Sequence, residues 1–497
     1  MFSMNTRKLA RALFHAPAAP MTPTTAAAHS DRLPKLLALP IFSSDALSSV
    51  AYATEEILIA LLAGAAAVST QASWPIALGI GVLLVVVTWS YMQTIEAYAT
   101  GGGAYVVAKE NLGEKAGLVA GAALLIDYVF TVAASVAAGV AALASACHVV
   151  GPYLASMSSY APQVVGAVVL ALEEHRVLMG VLLVLAITAA NLRGMKESGK
   201  IFAIPTYLFI ASIAALVLFG GYRALTGSLA VVQPATVAAT HDLGWLLLLR
   251  AFAAGCAALT GVEAISNCVP QFQAPAQRNA KITLAVMSLI LGGMFLGMTY
   301  LTVTLGIRPA TDGETVLSQL ARGIFGSGAL YYVVQVSTAL ILILGANTSF
   351  AVFPTLSSEI ARDGFLPARL AEGDGKVRAN GICVVGVLGA LLIVLFNGDP
   401  HALIPLYAIG VFLSFTLSEA GMVKHWVDRR SWGKAVVNAL GALATTAVFA
   451  IVTTANLLEG AWAVLVLVPT LVLVMLTFRA QRQWVERKNP VVLPIVR

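Results

Sequence analysis

Apolar stretches long enough to cross a bilayer recur along almost the whole chain. About 20 such residues span the hydrocarbon core as a helix. Stretches of that order can be read at 36–66, 74–95, 117–147, 177–192, 200–222, 244–268, 281–306, 329–356, 380–398, 402–424, 435–456 and 461–479. Inside lipid every backbone polar group must find its partner within the protein, which leaves helices or a closed barrel. The alternating pattern of a membrane barrel is absent. The expected fold class is therefore all-α, a polytopic membrane protein with twelve transmembrane helices. Composition agrees: 11% of the 497 residues are charged and 59% are hydrophobic, where a soluble domain carries about 25% charged.

The net charge is +6, and its distribution decides what that means. With the N-terminus in the cytoplasm, 25 of the 30 Lys and Arg residues fall in the tails and the loops of one side. The other five are Arg176, Arg223, Arg250, Arg308 and Arg322. That asymmetry fits the positive-inside rule with both termini cytoplasmic, and it accounts for the basic charge without nucleic acid. Cys147, Cys256, Cys268 and Cys383 lie in or beside apolar segments with no CxxC spacing, which suggests packing residues rather than disulfides or a metal site. The first 30 residues are rich in Ala and Pro, with Arg7, Lys8 and Arg11 and no acid before Asp31. No h-region with a cleavage site follows, so a disordered cytoplasmic tail is expected rather than a transit peptide.

Two spans read as interrupted. Span 1 contains "SSDALSS" (Ser43–Ser49), and span 6 contains "GCAALTGVEAISN" (Gly255–Asn267), with Gly261 beside Glu263. Interrupted segments at matching positions of two halves point to a transporter's binding site. The spans also hold acids away from their ends: Asp45, Asp127, Glu263 and Glu419. No Lys or Arg stands near the middle of any span. An unpaired buried carboxylate is strongly disfavoured unless a cation or proton neutralises it. With no internal basic partner, that neutralising charge is expected to come and go, which argues for cation or proton transport.

Spacing gathers further oxygen atoms. In "LIDYVFTVAAS", Asp127, Thr131 and Ser135 stand at i, i+4 and i+8 and share a helix face, with Tyr128 next to them. Thr260 and Glu263 are three apart, and Asp45 and Tyr52 are seven apart, close to two turns. Together they suit an oxygen-lined cavity for a monovalent cation. Plainer roles compete: a Ser or Thr in a membrane helix often bonds back to its own i−4 carbonyl, and Tyr52 and Tyr128 also suit simple packing. Intramembrane acids are functional by default. Of Glu55 and Glu56, at least one is expected to face the outer vestibule. Glu359 and Asp363 are expected in solvent, and Glu419 approaches the basic end of its span at Lys424.

Several stretches, in this order, resemble the amino acid–polyamine–organocation (APC) superfamily: "GGGAYVVAKENLG" (Gly101–Gly113), "NLRGMKESGK" (Asn191–Lys200), "TGVEAISNCVPQFQAPAQRNAKI" (Thr260–Ile282) and "SSEIARDGFLP" (Ser357–Pro367). The resemblance implies a five-plus-five inverted repeat with broken helices 1 and 6 and two extra helices. The repeats would cover about 34–223 and 240–425 and the extra helices 435–480, all within a transporter domain at 34–480 between tails at 1–33 and 481–497. Amino acid carriers of this superfamily usually have a glycine-rich unwound segment where this chain has "SSDALSSVAY". With "LLIDYVFTVAASV" and "ALTGVEAISN", that segment looks like the KUP-type potassium–proton symporters, in their bacterial KimA-like branch. The likeness implies potassium sites built from Asp45, Tyr52, Asp127, Tyr128, Thr131, Ser135, Thr260 and Glu263. It also implies Tyr407 as a gating or ligand tyrosine and Glu263 as proton carrier.

The expected function is thus proton-coupled potassium uptake by alternating access in a bacterial plasma membrane. The alternative is an amino acid or polyamine permease of the same fold. No cofactor is expected beyond the transported potassium and proton. No nucleophile–base pair or metal motif suggests an enzyme. KimA-like symporters commonly carry a C-terminal domain that dimerises and can bind a cyclic dinucleotide. Here 18 residues follow Arg479, so control through such a domain is not expected of this stretch. The oligomeric state stays open, a homodimer included.

Overall fold

The computed structural model describes residues 32–62, 66–99, 101, 103–155, 174–193, 195–229, 244–309, 314–371, 379–457 and 460–488. Of the expected tails, 1–31 and 489–497 lie outside these residues. The described chain is helical throughout, and its only β pairing is an isolated bridge between Leu33 and Phe272.

The chain begins with α1 (Lys35–Ser48), α2 (Val50–Leu62), α3 (Ala66–Ala97), α4 (Gly103–Leu112) and α5 (Glu114–Ala155). It continues through α6 (Arg176–Leu192), α7 (Met195–Leu225), α8 (Trp245–Gly255), α9 (Ala264–Asn267) and α10 (Ala276–Leu305). The last elements are α11 (Val316–Phe325), α12 (Ala329–Arg362), α13 (Ala379–Leu395), α14 (Pro400–Asp428), α15 (Trp432–Ala455) and α16 (Ala461–Lys488). Among the described residues, ten helical segments are long and apolar enough to cross a membrane, with α1–α2 forming one and α8–α9 another. The expected spans 177–192 and 380–398 form α6 and α13, apolar helices of 17 residues each. Such a helix is about 25 Å long, at the short limit for spanning. Two short helices in the connections, α4 and α11, were not expected. Helix α11 buries Val316, Leu317, Leu320 and Ile324 on one face and is capped by Thr315, whose hydroxyl accepts from the Ser318 N–H.

Side chains such as Leu218, Leu289, Trp245 and Leu443 stand exposed on the outside. An apolar exterior of this kind is what a lipid-facing surface requires. Inside, α12 runs along α5, α14 packs on α5 and α15, α3 on α10, and α1 on α12. Helix α8 lies beside α2, so the two interrupted segments meet. At one end, ion pairs tie the helices together: Lys109 to Asp363 at 2.5 Å, Glu96 to Lys281 at 3.0 Å and to Lys434 at 2.6 Å, and Arg479 to Glu114. Asp363, expected in solvent, is therefore paired, and it also accepts from the Tyr105 hydroxyl at 2.5 Å.

Candidate functional site

The first interrupted segment is tighter than its sequence suggests. The chain stays helical through Ser48, and Ser49 alone separates α1 from α2. The serines explain this. Ser48 Oγ donates to the Asp45 carbonyl at 2.8 Å and Ser49 Oγ to the Ala46 carbonyl at 2.6 Å, so both close the turn on themselves. Ser49 Oγ also reaches the Ala258 carbonyl at 3.2 Å, and Ser44 Oγ donates to the Leu344 carbonyl at 3.1 Å. The seven-residue stretch read as a break thus locks α1 against α12 and the second interrupted segment, with Asp45 held on helix.

The second segment is broken over a longer run. Helix α8 stops at Gly255, where an added Cβ would sit 2.5 Å from Ile57 Cγ1. A 3₁₀ turn covers Cys256–Leu259, Thr260 is extended at ψ 147°, and Gly261 takes φ +80°. The left-handed conformation favours glycine. Space demands it too, because a Cβ there would lie 2.6 Å from Asp45 Oδ2 and 2.9 Å from the Ala46 nitrogen. Gly261 therefore brings the second break into contact with Asp45. Glu263 stands two residues further on, fully buried, and neither carboxyl oxygen has a hydrogen-bond partner.

Helix α5 supplies the third side. Thr131 Oγ1 donates to Asp127 Oδ1 at 3.3 Å, as the i, i+4 spacing requires. Ser135 lies with Ser48 beside Gly345 of α12, where a Cβ would fall 3.2 Å and 2.7 Å from their hydroxyl oxygens. Gly410 brings α14 against the same helix, with a would-be Cβ 3.4 Å from Asp127 Cβ. The Tyr128 hydroxyl accepts from Asn267 Nδ2 at 3.0 Å. Tyr52 and Tyr407 join hydroxyl to hydroxyl at 2.8 Å, and the Thr260 hydroxyl faces both. Thr260 also bonds back, donating to the Ala257 carbonyl at 2.8 Å, so its lone pairs are what it offers inward.

All nine residues singled out in the sequence are buried, none more than 7% exposed. Glu263 lies within electrostatic reach of both Asp45 and Asp127. Among the described residues no Lys, Arg or His contributes to the field at these three carboxyls. Three carboxyls enclosed together repel unless a cation or protons join them. The arrangement can therefore bind positive charge, surrounded by hydroxyl oxygens and closed from the surface.

Outside this group, Glu56 pairs with the half-exposed His401 at 2.7 Å, and Glu55 is buried beside them. Both acids are themselves buried, and His401 is the exposed member of the group. Sequence reading missed His401, Asn267, Ser48 and the α12 contribution of Leu344, Gly345 and Thr348, the last through its hydroxyl contact with Ser44 at 2.9 Å. Asn267 had a readable signal, since it stands four residues after Glu263. The α12 residues are small or apolar and carry none.

Comparison with known proteins gives two results. A family model described as amino acid permease matches residues 38–478. The potassium transporter KimA of Bacillus subtilis (strain 168) is 45% identical over 460 residues, covering 90% of this chain and 70% of that protein.

Proposed function

The chain belongs to the amino acid permease family, and from that footing we propose that it is a proton-driven potassium importer working by alternating access. One observation carries the reading: three buried carboxyls, Asp45, Asp127 and Glu263, share an enclosed site with no basic partner among the described residues. Potassium is a weakly hydrated monovalent cation that oxygen ligands can strip of water. In this reading Asp127, Thr131, Ser135 and Tyr128 on α5, Asp45 on α1 and Thr260 after α8 provide those oxygens. Tyr52 and Tyr407 close the site toward the Glu56–His401 side. Glu263, with both oxygens unbonded, takes the coupled proton. The Bacillus relative, a potassium transporter by name, supports the choice of ion.

The rival substrate is an amino acid or polyamine. Asp45 argues against a zwitterion, because it puts a carboxylate where a substrate carboxylate would approach. The helical state of residues 43–48 argues the same way, since it leaves no run of unpaired N–H groups there to bind an anion. The same side that carries the ion-paired helix ends is the cytoplasmic side in this reading, with both termini there and the domain at 34–480 as the transporting unit. Rubidium or potassium flux into proteoliposomes under an imposed pH gradient tests the reading. Uptake that follows the gradient and ignores amino acid competitors is the expected result; radiolabelled amino acid uptake without rubidium flux refutes it.

A further inference from the structure

A second buried carboxyl site lies away from the one just described. Glu419 of α14 is 2% exposed and sits between α3 and α15. Its Oε2 contacts Ser90 Oγ, and Ser90 Oγ also contacts Asn438 Oδ1 at 2.5 Å. Asn438 Nδ2 donates to Gln93 Oε1 at 2.8 Å and to the Lys434 carbonyl at 2.8 Å. A backbone carbonyl can only accept, so that last bond fixes the amide: its NH₂ faces Lys434 and its oxygen faces Ser90. Ser90 then stands between two acceptors with one hydroxyl hydrogen. If Glu419 were ionised, one contact would set lone pair against lone pair. A proton on Glu419 Oε2 resolves this, giving a single direction of donation from Glu419 to Ser90 to Asn438 to Gln93.

The surroundings are built for such a group. Gly441 leaves the room, since a Cβ there would lie 2.8 Å from Glu419 Oε2. Among the described residues no Lys, Arg or His pairs with Glu419, which is buried against Ser90. The nearby charged residues Lys434 and Glu96 pair with each other at 2.6 Å, further toward the ion-paired end. Ser90, Gln93 and Glu96 follow at i, i+3 and i+6 along α3, so one face of that helix leads from the buried carboxyl to that end. On the other side stands Tyr91, 1% exposed and packed on Phe415, with Ser418 of α14 beside it. Its hydroxyl bonds to neither carboxyl and lies within electrostatic reach of both Glu263 and Glu419.

We propose that Glu419 is a second proton-carrying carboxyl of this transporter, linked through Tyr91 to Glu263 and opening along the Ser90–Gln93–Glu96 face of α3. The relay role rests on the proton-driven reading given above. In the transfer, the Glu419 O–H bond breaks as an O–H bond forms at Tyr91. The original Tyr91 proton passes to the Glu263 carboxylate, and the negative charge moves from Glu263 to Glu419. The phenol bonds to neither carboxyl in this conformation, so the transfer needs the helices to close on it. The proton thereby has a route distinct from the cation's.

Infrared spectroscopy of the purified full chain at neutral pH tests the site without any transport. The expected result is a carboxylic-acid C=O stretch that E419Q removes. Identical spectra for E419Q and wild type overturn the proposal. Should E419Q not fold, S90A reads the same group: loss of the acceptor shifts that band to higher frequency, and an unmoved band overturns the assignment. Proteoliposomes then test the relay. E419Q and Y91F are expected to lower pH-gradient-driven rubidium uptake about tenfold more than they lower rubidium–potassium exchange, which needs no net proton movement; a tenfold effect is about 1.4 kcal/mol. Equal effects on both fluxes, or none on either, overturn the relay. Rubidium flux absent from wild type itself would refute the potassium reading instead, and the infrared result would still decide Glu419.

Discussion

Asp127 is the residue on which the proposed cation site depends most simply. It has one bond from Thr131 and otherwise faces Glu263 and Asp45. Asp127→Asn keeps size and removes charge. A charged ligand contact is worth about 1.5–3 kcal/mol, so rubidium affinity should fall roughly 10- to 150-fold. Concentration dependence of uptake in proteoliposomes checks this, and wild-type affinity would remove Asp127 from the site. Thr131→Val should weaken binding less, by about 0.5–1.5 kcal/mol, because it takes away one neutral hydroxyl. The tyrosine pair separates ligand from gate. Tyr52→Phe breaks the 2.8 Å bond to Tyr407 and leaves the carboxyls intact. Its expected signature is faster rubidium–potassium exchange at little-changed equilibrium affinity; an affinity loss as large as that of D127N would make Tyr52 a primary ligand.

At the scale of elements, the critical one is the break between α8 and α9. Alanine at Gly261 would have to hold φ +80° and place a methyl against Asp45. Left-handed strain for a non-glycine residue is about 1–3 kcal/mol. G261A should abolish uptake and lower the melting temperature. Gly293 on α10 is the control: a Cβ there meets nothing within 4 Å, and G293A should leave both unchanged. Thermal unfolding alongside flux measures each. This break was legible in the sequence because a glycine close to an acid inside an apolar run weakens a helix and charges it at one place. The break in the first span is present but confined to Ser49, since serines that close their own turn look in sequence like serines that open one. Helix periodicity likewise yielded Asp127, Thr131 and Ser135, which sit on one element. It has no power over partners on different elements: Tyr52 meets Tyr407 across 355 positions of sequence, and Ser90 meets Asn438 across 348. Hydropathy located the ten long apolar helices among the described residues and the shorter α6 and α13, but missed α4 and α11, whose amphipathic pattern is too short to stand out from a loop.

For the whole molecule, the proposed alternating access needs each end to be closed while the other is open, and the two ends carry different side-chain contacts. Toward one end lie the Tyr52–Tyr407 hydroxyl contact and the Glu56–His401 pair, which the proposed reading takes as the closure there. The other is held at its rim, where Glu96 of α3 binds Lys281 of α10 and Lys434 of α15. Glu96 is 47% exposed on its side chain, so each pair contributes only about 0–1 kcal/mol and is weakened by salt. Pairs of that strength can break and re-form readily. Cys268 reports on that end, being fully buried and one residue beyond the Asn267 that bonds to Tyr128. With Cys147, Cys256 and Cys383 replaced by alanine, Cys268 should react slowly with a water-soluble alkylating reagent. Glu96→Gln releases three helix ends together at about 1 kcal/mol, which corresponds to roughly a fivefold larger open population. Alkylation of Cys268 should therefore quicken by about that factor, and raised ionic strength should produce part of the same gain in the unmutated latch. Potassium at saturating concentration should slow the reaction in both, by favouring the closed, ion-bound form. An unchanged rate in E96Q would mean that the Glu96 pairs do not hold this end, and that closure there rests on the remaining ion pairs and on apolar packing.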